Sequence, residues 1–146
     1  SLFSKMNRTD ESLLEMEAIL QENPDHADAL NFIGYTYAEM GKNLGEAEKM
    51  ILKALRLRPG NGYMLDSLGW VYFKQNRFDE ALKCLKEAAT ILPGDPAITE
   101  HLGDVYMALN RRQEALNAYR QALKLNPPSG PALQEKIDAL QKQGVQ

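Results

Sequence analysis

The stretch LDSLGWVYFKQNRFDEALKCLKEAATILP, from Leu65 to Pro93, recurs without a gap as TEHLGDVYMALNRRQEALNAYRQALKLNP, from Thr99 to Pro127. An internal repeat of this length constrains the fold more than composition can, because each copy must be one supersecondary unit. The 34-residue offset aligns Gly69 with Gly103, Tyr72 with Tyr106, Ala81 with Ala115, Ala88 with Ala122 and Pro93 with Pro127. Upstream, Leu30, Gly34, Tyr37, Ala47, Ala54 and Pro59 repeat the pattern with one residue inserted in the turn GKNLGEA. Counting back from Pro24 as from Pro93 places Asn7-Arg8 on Asn76-Arg77, Asp10-Glu11 on Asp79-Glu80, Phe3 on Tyr72 and Ser1 on Trp70. The chain is therefore expected to open inside a helix and to turn at Asn7-Arg8. It reads as a fragment of a longer array.

Within each copy apolar residues return every three or four positions, as Leu65, Leu68, Tyr72 and then Ala81, Leu82, Leu85, Ala88. That period is helical, whereas a strand would alternate at two. The segments KQNRFD and ALNRRQ are short, polar and carry Asn, and P-G-D-P and P-P-S-G interrupt the chain where second helices end. The spacing predicts helices near 9–22, 27–40, 45–57, 62–75, 78–91, 96–109, 112–125 and 131–142. One pair buries little alone, so neighbouring pairs must stack into a continuous core. Gly34, Gly69 and Gly103 fall mid-helix, where glycine costs about 1 kcal/mol against alanine, so each is expected to admit a neighbouring helix at close range. Ala47, Ala81 and Ala115 do the same on second helices. Tyr37, Tyr72 and Tyr106 are expected to fill the gap between one pair and the next.

With 44% hydrophobic and 25% charged residues the chain has the balance of a soluble folded protein. A formal charge of −3 gives no net basic field for DNA or RNA, so no nucleic-acid partner is expected. Cys84 stands alone, which excludes an internal disulfide and suits a small apolar filler. No apolar run approaches the ~20 residues that span a bilayer, and SLFSKMNR lacks the apolar core of a signal peptide. Membrane insertion by this segment is not expected.

Leu, two spacers, Leu-Gly, two spacers, Tyr, then Ala, a bulky residue, Ala and Pro over 34 residues resembles the tetratricopeptide repeat family. The resemblance implies an all-α, right-handed superhelical solenoid of antiparallel helix pairs. It divides the chain into the second part of a truncated repeat at 1–26, full repeats at 27–61, 62–95 and 96–129, and a C-terminal solvating helix at 130–143. Leu30, Leu65 and Thr99 stand at the usual tryptophan position, and Arg112 replaces the aromatic seen at Phe78. In PALQEKIDALQK, Leu133, Ile137 and Leu140 make a narrow apolar stripe, with Gln134, Glu135, Lys136, Asp138 and Lys142 expected to face water. ALNFIGYTYAEMG, LDSLGWVYFK and EHLGDVY further resemble repeat regions of exported or lipid-anchored bacterial proteins.

In this family first helices line a concave groove, and ligands touch the residues not needed for packing. Carried over, those are Asp28, Asn31, Tyr35 and Glu39, then Tyr63, Asp66, Trp70, Phe73 and Lys74, then Glu100, Asp104, Met107 and Ala108. Asp66, Trp70 and Phe73 also share one helical face at i, i+4, i+7. An exposed Trp, Phe and Tyr cluster is the composition of a binding hot spot, although Trp70 and Phe73 could instead pack on the adjacent repeat. With Asp28, Asp66, Glu100 and Asp104 opposed only by Lys74, the groove is expected to be acidic and to prefer a basic or apolar-anchored protein segment. Where relatives that clamp acidic C-terminal tails present Lys and Asn, Asn31, Tyr35, Asp66, Trp70, Glu100 and Asp104 stand here, so a carboxylate ligand is expected to be repelled.

No enzyme is expected, and no cofactor or metal. His26 and His101 have no ligand-spaced companion on their own helix faces, and His101 reads as a helix-surface or groove residue. Ser67, Asp66 and His101 match a triad in composition only. Gly60-Asn61-Gly62 follows no strand and reads as a turn. The alternative to a peptide-binding scaffold is self-association through an open N-terminal surface carrying Leu2, Phe3 and Met6, giving a homo-oligomer.

Overall fold

The computed structural model describes residues 2–146, with side chains from Ser4 onward. The side chains of Leu2 and Phe3, named in the self-association reading, lie outside the described residues. The described chain is eight helices and no strand: α1 (Leu2–Glu22), α2 (Ala27–Met40), α3 (Leu44–Leu57), α4 (Gly62–Lys74), α5 (Phe78–Ile91), α6 (Pro96–Ala108), α7 (Arg112–Lys124) and α8 (Gly130–Lys142). Pairs α2–α3, α4–α5 and α6–α7 pack as hairpins, and each second helix also packs on the next first helix.

Local chemistry sets the boundaries. The first helices begin at one register position, filled in turn by His26, Asn61 and Asp95, whose side chains accept backbone N–H groups of the first turn. The hairpin turns use left-handed residues, Gly41 (φ 68°), Asn76 (φ 64°) and Asn110 (φ 60°), which Gly and Asn adopt most readily. The residue inserted in the first full repeat is absorbed by a second left-handed residue, Asn43 (φ 52°).

The glycine register explains how close the hairpins pack. A Cβ on Gly69 would lie 2.8 Å from Leu85 Cγ, and one on Gly103 only 2.3 Å from the Tyr119 ring. Small residues opposite them, Ala81 and Ala115, are fully buried. Tyr72 touches the core clusters on both sides of it, as does Tyr106, so both bridge successive pairs. Each is covered by a guanidinium, Arg77 at 4.3 Å and Arg111 at 5.1 Å. Cys84 packs half-buried against the cluster that holds Ile51, Leu68 and Val71, and burial pushes its thiol up to about 11.

Seven of the eight helices match the spacing to within a residue or so. The exception is α1, expected from residue 9 after a turn at Asn7-Arg8 but helical from Leu2. No Gly or Pro interrupts LFSKMNRTDESLL, and a turn gains stability only when the chain before it can fold back and pack. At the other end Leu133, Ile137 and Leu140 of α8 are buried on Ala115, Leu116 and Tyr119, as its apolar stripe required.

Candidate functional site

First helices α2, α4 and α6 stand side by side, with α4 packed on both others, and form one wall. At its centre Trp70 stacks on His101 of α6 with ring centroids 4.1 Å apart, and on Phe73 at 4.8 Å. Trp70 is only 8% exposed, which corrects the expectation of an exposed anchor. The physical reason is that a first helix inside a solenoid has neighbours on both sides, so its second apolar face is covered as well. His101 lies over Trp70 from α6, and Ala38 and Tyr35 of α2 share its cluster.

His101 is central to this wall in a way its place in the sequence does not reveal. Its Nδ1 lies 2.8 Å from Asp66 Oδ1, and both side chains are largely buried. Burial pushes the imidazole pKa down, but the Asp66 hydrogen bond and the charges of Asp66, Asp104 and Glu39 outweigh it and hold the group above its ordinary value. Protonated, His101 donates from Nδ1 to Asp66 and supplies a positive charge inside the wall. Ser67 takes no part in this pair, because its hydroxyl donates to the Tyr63 carbonyl at 3.1 Å. Among the described residues, no group of three or more His, Cys, Asp and Glu could hold a metal ion.

The other carboxylates are also partnered. Lys136 of α8 donates to Glu100 Oε2 at 2.9 Å and to Asp104 Oδ1 at 3.0 Å. Ser129 donates to Glu100 Oε1 at 2.8 Å, and the Tyr119 hydroxyl to Asp104 Oδ1 at 2.6 Å. Burial raises the Glu100 carboxyl, yet Lys136 and Ser129 hold it below the ordinary carboxylate value. Burial and the neighbouring Asp104 push the Tyr119 phenol up, so it stays a donor. Asp28, exposed, meets Arg58 at 3.4 Å. The acidic groove expected from Asp28, Asp66, Glu100 and Asp104 is thus only partly neutralised, because Lys136 is one charge shared by two carboxylates and His101 offsets Asp66 only when protonated. Lys136, expected to face water, turns toward α6 because the residue after it, Ile137, is anchored in the core beside Tyr119.

Two hollows flank the Asp66–His101 pair. One of about 300 Å³ between α2 and α4 is lined by Asn31, Tyr35, Tyr63 and Asp66. The other, of about 400 Å³, is lined by Trp70, Glu100, His101, Asp104 and the turn through Pro127 and Pro128. Each is lined by a residue with a buried polar atom that has no hydrogen-bond partner, Asn31 Oδ1 in the first and Trp70 Nε1 in the second.

The remaining residues of the expected groove divide. Tyr63 and Glu39 are exposed, Tyr35 is half-buried, and Lys74 sits 5.4 Å over the Trp70 ring. Phe73 is half-buried between Trp70 and Phe78, whose ring is 5.6 Å away. Met107 packs instead on the C-terminal core with Tyr119 and Leu133, and Ala108 is exposed at the end of α6. No helix among the described residues is long and apolar enough to cross a membrane.

Comparison with known proteins agrees with this architecture. Two tetratricopeptide repeat family patterns match, one over residues 25–94 and one over 72–140. A TPR repeat-containing protein of Pseudomonas aeruginosa is 36% identical over 80 residues, which is 55% of this chain but 14% of that protein's length. The crystal structure of MamA superposes with a TM-score of 0.75 at 18% identity, covering 97% of this chain and 81% of MamA. PilF of Pseudomonas aeruginosa superposes with a TM-score of 0.80 at 22% identity, covering 97% and 64% of the two chains. At these identities the structural likenesses speak to the fold, a superhelical stack of helix pairs. Repeat register, hairpin geometry and both family patterns agree that the chain belongs to the tetratricopeptide repeat family.

Proposed function

We propose that the chain is a docking scaffold that takes a segment of another protein along the α2–α4–α6 wall and serves the assembly of a larger complex. Membership of the repeat family supports a general role in protein–protein interaction. The single observation that supports this wall is the pair of hollows beside Asp66–His101, each with an unpartnered buried polar atom. Both atoms are covered in the free chain, so an extended peptide backbone supplies the missing donor to Asn31 Oδ1 and acceptor to Trp70 Nε1–H only as the walls of the hollows shift. Because the carboxylates are only partly neutralised, basic side chains as well as apolar ones suit the hollows.

Two synthetic peptides of equal length test the reading by calorimetry, one aromatic-anchored with a lysine and one an acidic tail. The aromatic-anchored peptide is expected to bind more tightly. Tyr63→Ala should weaken it by about 1–2 kcal/mol with the helical signal unchanged, since Tyr63 is 57% exposed. Tighter binding of the acidic peptide would sink the proposal. The second reading, self-association, draws on Met6, Phe32 and Met40, which are exposed around one N-terminal cleft. Sedimentation mass that stays monomeric at high concentration removes it.

A further inference from the structure

The two hollows of the first-helix wall lack opposite things. In the hollow beside α6 the unpartnered atom is the Trp70 Nε1–H, a donor, and the carboxylates there, Glu100 and Asp104, already hold Lys136. In the hollow between α2 and α4 the unpartnered atom is Asn31 Oδ1, an acceptor. The Asp66 carboxylate lines the same hollow, and among the described residues no lysine or arginine pairs with it. Its Oδ1 takes His101 Nδ1 from α6, and its side chain keeps 13% exposure. Ser67 cannot supply the missing donor, because its hydroxyl already donates to the Tyr63 carbonyl.

Three rings, Phe32, Tyr35 and Tyr63, complete the lining. Acceptors set among ring faces favour a flat, donor-rich cation. A guanidinium carries five N–H groups in a fixed fork and stacks on aromatic faces, whereas an ammonium is a compact, strongly hydrated point charge. The chain shows this pairing twice elsewhere, with Arg77 4.3 Å over Tyr72 and Arg111 5.1 Å over Tyr106. A hollow of about 300 Å³ has room for one such side chain.

We propose that the α2–α4 hollow seats one arginine side chain of the docked segment, its guanidinium donating to the Asp66 carboxylate and to Asn31 Oδ1 against the rings of Tyr35 and Tyr63. The seat rests on the docking reading of the wall and names one side chain of its occupant. Asn31 Oδ1 is covered in the free chain, so the seat opens as Phe32 and Tyr63, both exposed, move aside.

Occupancy reaches His101 through Asp66. The imidazole meets Asp66 from α4, Tyr35 and Glu39 from α2, and Glu100 and Asp104 of its own helix. Lys74 shares its Trp70 ring, Lys136 of α8 and Tyr119 of α7 act on it through Asp104, and no group of α5 pairs with it. In the empty wall these acids help His101 keep its proton. An arginine on Asp66 takes a share of that carboxylate and repels the imidazolium, so seating it drives the proton off. Binding therefore tightens as pH rises through the His101 titration and levels off above it.

The aromatic-anchored peptide, with arginine, lysine or citrulline at its basic position, tests the seat by calorimetry in buffers of different ionisation enthalpy. Arginine is expected to bind about tenfold more tightly than citrulline, its neutral isostere, and about threefold more tightly than lysine. The arginine peptide releases protons on binding, the citrulline peptide does not, and His101→Gln abolishes the release. Asn31→Leu, which removes the unpartnered acceptor, should weaken the arginine peptide and leave Tm unchanged or higher. Should that variant fail to fold, Asp66→Asn should erase the preference for arginine over citrulline, and a preserved preference overturns the seat. Equal binding of the arginine and citrulline peptides, or arginine affinity that falls as pH rises, overturns the seat and leaves the docking wall standing. If none of the three peptides binds, the docking wall and the seat fall together.

Discussion

At the C-terminal end of the stack α8 lays Leu133, Ile137 and Leu140 on the last hairpin and turns a polar face outward. At the N-terminal end α1 does less. Among its described residues only Leu13 is buried, and Met6 and Leu14 stand exposed. The two ends also differ in electrostatic reach. Helix α8 sends Lys136 to Glu100 and Asp104 and so sets the charge of the wall, whereas no ion pair ties α1 to the rest of the described chain. A closing helix therefore does more than shield a core, because it also changes the charge of the first-helix wall.

The sharpest way to break this contrast is truncation at each end. Leu133→Ala should cost about 2–5 kcal/mol in urea unfolding, because Leu133 is fully buried. Leu14→Ala should stay within about 0.5 kcal/mol, since Leu14 is exposed. Equal costs at the two sites would refute the asymmetry. Glycine substitutions give a smaller effect. Gly103→Ala should cost about 1–3 kcal/mol, because Tyr119 cannot retreat while its hydroxyl is held by Asp104. Gly45→Ala, with nothing within 4 Å of the added Cβ, should stabilise by up to about 1 kcal/mol.

Lys136→Met isolates the charge that α8 contributes. Lys136 is 38% exposed on its side chain, so solvent screening limits the stability loss to about 1 kcal/mol. The Glu100 carboxyl should then titrate at higher pH, and a lysine-bearing peptide should bind more tightly. A neutral effect on that peptide would show that the wall's charge is set elsewhere. The smallest effect is on pH dependence. Because His101 is held above its ordinary value, its contribution to stability is complete below about pH 6.5. It fades as pH rises through the folded-state value. His101→Gln should flatten that part of the stability curve, and an unchanged slope would assign it to another group.

Helix positions were legible in sequence because they follow from local signals: apolar residues every three or four positions, left-handed Asn at hairpin turns, and mid-helix glycines that mark close approach. The stripe of α8 was legible for the same reason. What escaped depends on distance in space rather than along the chain. Asn7-Arg8 carries the turn signal but lacks the packing that would make the turn worth forming. Trp70 lies on a second apolar face, and periodicity alone does not say whether a neighbour covers it. Lys136 reaches a glutamate 36 residues away, and His101 pairs with Asp66 across two repeats. A counted excess of acids along first helices therefore overstated the negative charge of the wall.

Amide and indole chemical-shift mapping with the aromatic-anchored peptide tests the central claim most directly, because Trp70 is the sole tryptophan and its Nε1–H gives one unambiguous resonance. Shifts at Asn31, Tyr63, His101 and the Trp70 indole are expected. Shifts confined to the outer faces of α3, α5 and α7 would contradict the claim.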